Sequence, residues 1–92
     1  MSVSEQKIEC VNEFVELANA MAAKGQSPQV VSSGLMTACA LYATFVVTGN
    51  DGALQSTGIE KITQLFGSEL ATVQKAKIEQ AQRDGKDVSG AQ

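Results

Sequence analysis

Four glutamates recur along the first stretch of the chain: Glu5, Glu9, Glu13 and Glu16. On a helix turning ~100° per residue they fall within an arc of about 80°. Carboxylates arrayed this way can hold a hard cation. Di-metal carboxylate bundles, however, pair such glutamates with Glu-x-x-His motifs on facing helices, and this chain has no His. The arc also lies opposite the apolar residues of its own segment. The expected role is therefore a solvated acidic face, with a partner contact as the second reading and no metal site.

The missing imidazole also removes the commonest general base. Ser and Thr are numerous, but none has a His to activate it. A Ser–Lys pair stays open on chemical grounds, with no motif that points to one. Tyr42, the single tyrosine, reads as a core residue with its hydroxyl at an edge. No glycine-rich phosphate loop follows a strand, because no strand pattern is present. The expectation is no catalytic residue, no cofactor and no enzyme. Cys10 and Cys39 are expected to be buried, inert thiols. In an antiparallel hairpin their axial offset, added to the 8–10 Å between packed helix axes, disfavours a disulfide.

Seven basic against ten acidic residues give a net charge of −3. Nucleic-acid binding draws most of its affinity from phosphate neutralisation and leaves a basic footprint, so no nucleic-acid partner is expected. Docking on an anionic membrane is disfavoured for the same reason. Lys75, Lys77 and Arg83 make one helix end mildly basic, which suits the negative end of its dipole. The first residues lack the basic patch and apolar run of a secretory leader, and a cytoplasmic location is the simplest expectation.

The elements that would position these groups are helical. Ile8, Val11, Phe14, Val15, Ala18, Met21 and Ala22 recur at spacings of three and four, which predicts a helix from Ser4 to Lys24. Ser2 with Glu5, or Ser4, can cap it. Gly25 and Pro28 end it. Ser27-Pro28 starts a second helix reaching Thr48, where Gly49-Asn50-Asp51-Gly52 stops it. Thr57 and Glu60 fit a capping box for a third helix over 57–83, with Ile59, Ile62, Phe66, Leu70 and Val73 as its stripe. Gly67 marks a kink or a close helix contact within it. Residues 84–92 read as a disordered tail. The fold class is all-α: one three-helix domain over 1–83, a hairpin with a longer third helix packed across it. Its expected core includes Ile8, Val11, Phe14, Val15, Ala18, Met21, Val31, Leu35, Ala38, Tyr42, Phe45, Val46, Ile59, Ile62, Phe66, Leu70 and Val73.

The middle helix is the most informative segment, since no charged residue lies between Gly25 and Asn50. Its uninterrupted apolar run, 34–47, is short of the ~20 residues a bilayer needs, so no membrane span is expected. A buried central helix is the plain alternative, yet two flanking helices cannot cover every side of a third. Small residues on it also let another backbone approach. A homodimer follows as an expectation, with Ser33, Gly34, Met36, Thr37, Ala40, Ala43, Thr44 and Val47 as its candidate interface. A candidate apolar pocket is Met36, Tyr42 and Phe45.

The runs Phe14-Val15-Glu16-Leu17-Ala18-Asn19, Ser33-Gly34-Leu35-Met36 and Ala40-Leu41-Tyr42-Ala43-Thr44-Phe45-Val46-Val47 resemble a family of small bacterial proteins classed as a domain of unknown function. Its first helix carries a Phe-Ile/Val-x-Leu-Ala-Asn segment, and its second ends in Phe-Val-Val or similar. The resemblance implies a cytoplasmic helical protein and carries over no catalytic residue. The expected function is a non-enzymatic, homodimeric protein–protein interaction module. A small apolar-ligand carrier is the second reading.

Overall fold

A computed structural model describes residues 1–50 and 52–85. Among them are three helices and no strand: α1 (Val3–Ala23), α2 (Pro28–Thr48) and α3 (Ser56–Arg83). The helix ends follow from local chemistry. Ser2 is the N-cap of α1: its Oγ accepts from the Glu5 N–H at 3.1 Å and donates to Glu5 Oε1 at 3.0 Å. Past Lys24, Gly25 takes φ 107°, a left-handed conformation that suits glycine. The chain restarts at once. Ser27 Oγ accepts from the Val30 N–H at 3.2 Å, and Pro28 fills the first turn, where no amide donor is needed. Gly49, at φ 73°, then ends α2 and donates its N–H to the Phe45 carbonyl at 2.7 Å. In the following turn Asn50 Oδ1 accepts from the Gly52 N–H at 2.6 Å.

The start of α3 differs from the capping-box expectation. The N-cap is Gln55, which makes no side-chain cap bond, and Thr57 lies inside the first turn. Leu54 packs over Gly58 instead: a Cβ there would stand 3.2 Å from Leu54 Cδ2. An apolar contact at the entry has replaced the hydroxyl cap. Gly67 marks no close approach, since a Cβ there would meet nothing within 4 Å, and α3 runs through it unbroken. The helix holds to Arg83 through polar pairs in its last turns. Gln80 Nε2 donates to Asp84 Oδ2 at 3.2 Å, and Arg83 Nη2 donates to Gln80 Oε1 at 2.9 Å. Asp84 and Gly85 form an ordered turn, correcting the expectation for those two residues. The rest of the expected tail, 86–92, lies outside the described residues, as does Asp51.

The chain divides into two units, Met1–Gly52 and the segment from Ala53 onward. In the first, α1 and α2 form a hairpin. In the second, α3 presents its apolar stripe. No described residue in either unit is buried, which corrects the expected core. Of that expected core only Ala18, Val31 and Ile62 are even half-buried. The reason is geometric. A periodic stripe states which face of a helix is apolar, and a two-helix layer covers only the strip where the helices touch. Cys10 and Cys39 are accordingly exposed free thiols rather than buried ones, and Tyr42 is 69% exposed.

Candidate interaction surface

Near the turn of the hairpin, residues of α1 and α2 line an open groove of about 440 Å³. Phe14, Leu17, Ala18 and Met21 line it from α1, and Val30, Val31, Gly34, Leu35 and Ala38 from α2. Gln26, in the connection, is its one polar side chain. The walls assemble because the Gly25 bend and the Ser27-Pro28 restart set the two apolar arcs side by side. A Cβ at Gly34 would meet nothing within 4 Å, so the space over it is open.

Further along α2, Tyr42 and Phe45 form a ring pair, with centroids 6.0 Å apart and planes tilted by 46°. Both stand proud of the hairpin. Phe45 also borders a shallower hollow of about 350 Å³ with Thr37, Ala40, Leu41 and Thr44. Thr44 spends its hydroxyl on the helix itself, donating to the Ala40 carbonyl at 2.7 Å. Thr48 does the same to Thr44 at 2.9 Å.

The sequence candidates distribute over these features. Gly34 lines the groove, and Thr37, Ala40 and Thr44 line the shallower hollow. Ser33, Met36, Ala43 and Val47 border neither. Of the candidate pocket trio, Tyr42 and Phe45 are neighbours, while Met36 lines neither cavity. Sequence reasoning missed the contribution of Phe14, Leu17 and Met21. Phe14 and Met21 belong to the apolar stripe read from spacing and Leu17 does not, but only the turn geometry sets all three around one groove with Val30 and Leu35. The acidic arc stays exposed on α1, and no group of three or more potential metal ligands occurs among the described residues.

By length and composition α2 is long and apolar enough to cross a membrane. Its 21 residues span about 31 Å, against ~30 Å for a hydrocarbon core. This corrects the length argument drawn from residues 34–47 alone, because the uncharged turns from Pro28 to Gly34 are helical too.

No curated protein and no solved structure matches the chain. The model of one family does, described as a protein of unknown function (DUF3144), and it matches residues 8–81. That span takes in nearly all of the three helices, the groove and the aromatic pair, and so the chain belongs to the DUF3144 family.

Proposed function

We propose that this protein is a non-enzymatic interaction module whose α2 surface is completed by a second copy of the chain. The observation that carries this reading is α2 itself: 21 residues with no charge and none of them buried. Singly exposed apolar side chains are ordinary on a soluble protein. A contiguous apolar helix face marks an interaction site. Water would have to solvate Val30, Leu35, Leu41, Tyr42, Phe45 and Val46 together, each at least 44% exposed. Full burial of one such side chain is worth roughly 1.5–3 kcal/mol.

A protein surface suits α2 better than lipid. Transmembrane helices gather Trp and Tyr at their two ends and Lys or Arg just beyond. Here the only tyrosine sits inside the helix, and no Lys or Arg lies between Lys24 and Lys61. Light scattering on a dilution series tests the reading. The expected mass is twice the 9.6 kDa of the chain, in buffer without detergent. A monomer at every concentration, or protein that floats with vesicles of neutral phospholipid, contradicts it.

The groove supports one second reading, a carrier of a small apolar ligand. Its volume of about 440 Å³ lies in the range of small-molecule pockets, ~300–1,000 Å³. Native mass spectrometry of protein purified from cells separates the two. A stoichiometric small-molecule adduct supports the carrier, and a bare chain mass counts against it.

A further inference from the structure

The groove and the aromatic pair are related by position along α2. Ala38 is the middle residue of the helix. Gly34 and Tyr42 lie four residues to either side of it, and Val31 and Phe45 lie seven to either side. At ~100° per residue, all of them share one face of α2, with mean directions of groove and ring pair within about 20° of each other. A two-fold axis beside Ala38, perpendicular to the helix, therefore sets Tyr42 of one copy level with Gly34 of the other, and Phe45 level with Val31. Resting on the homodimer reading above, we propose that two copies pair their α2 helices antiparallel about Ala38. Each copy then seats Tyr42 and Phe45 in the other's groove.

The local chemistry fits that seating. The open space over Gly34 receives a ring, and Gly34 with Ala38 at the crossing lets the backbones approach. A two-fold axis sets each surface against its own copy, so a charge near the axis would meet its like. Neither α2 nor any residue lining the groove is charged. The same neutrality leaves an acidic or basic partner nothing to pair with.

The area is also sufficient. Phe14, Leu17, Met21, Val30 and Leu35 with the two rings are between 42% and 69% exposed. The three aromatic side chains bury about 150–250 Å² each when fully covered, so with the four aliphatic ones they can supply a large share of the ~800 Å² per partner of a standard interface.

Pulsed EPR on singly spin-labelled protein tests the arrangement without touching the face. The native, exposed Cys39 is labelled after Cys10→Ser. Gln29→Cys and Val47→Cys are labelled one at a time in the Cys10→Ser, Cys39→Ser background. Residues 29 and 47 each lie nine positions from Ala38, so antiparallel pairing separates each from its copy by about 27 Å along the axis, at ~1.5 Å per residue. The expected result is a short distance at Cys39 and long distances at both ends. Short distances at both ends mean parallel helices, and a long distance at Cys39 means another interface. Either overturns this proposal and leaves a homodimer standing. A monomeric mass overturns both. As a second variant, Gly34→Gln keeps the helix and fills the seat of the ring. It is expected to raise the dimer dissociation constant at least 10-fold, and an unchanged constant contradicts the seating.

Discussion

Helices α2 and α3 are both apolar in part, and they differ in how they treat the rest of their surface. In its 28 residues α3 carries Glu60, Lys61, Glu69, Lys75, Lys77, Glu79 and Arg83 around one stripe. In its 21 residues α2 carries no charge on any side. A helix with one stripe needs one neighbour, and its charged faces are content in water. A helix apolar all round needs cover on every side. In the hairpin α1 supplies one flank of α2, and the face centred on Ala38 is the surface proposed here to meet a second copy.

Substitutions break or sharpen this contrast. The largest effect is expected from Ala38→Glu, which sets like charges against each other at the proposed axis. Such juxtaposition costs several kcal/mol, and the dissociation constant measured by sedimentation should rise at least ~100-fold. Thr72→Glu, on the polar side of α3, should leave it unchanged. Next comes Phe45→Ala. Truncating a buried Phe costs about 3–5 kcal/mol, so equilibrium unfolding should show a loss near 3 kcal/mol at high concentration that shrinks on dilution, as the unsubstituted dimer dissociates too. Phe66→Ala in the α3 stripe should show a loss independent of concentration.

Caps give a smaller contrast. Ser27→Ala removes the acceptor for the Val30 N–H and should cost about 1 kcal/mol. Thr57→Ala should stay within ~0.5 kcal/mol, because no side chain caps α3. The smallest expected change is a gain. Gly67→Ala should raise stability by up to ~1 kcal/mol, since its Cβ enters open space.

What could be read from sequence follows the range of the forces involved. The hairpin's ends were legible because Ser2, Gly25, Ser27-Pro28 and Gly49 act within four residues of themselves. The start of α3 was misplaced because Thr57-x-x-Glu60 competes with a contact, Leu54 over Gly58, that no hydroxyl pattern announces. Burial was illegible for another reason. The stripe at Phe14, Ala18 and Met21 is periodic whether or not anything covers it, and periodicity does not name the cover. The small residues Thr37, Ala40 and Thr44 drew attention on one side of α2. The groove that shares a face of α2 with Tyr42 and Phe45 becomes visible only once α1 is placed beside it.

The central claim is that the fold of this chain is completed by a second copy. The most direct measurement is the thermal unfolding midpoint, followed by circular dichroism over a 100-fold dilution series. An associating native state ties its stability to protein concentration by mass action. The account predicts a midpoint that falls steadily on dilution, and a cooperative transition at one fixed midpoint across the series would contradict it.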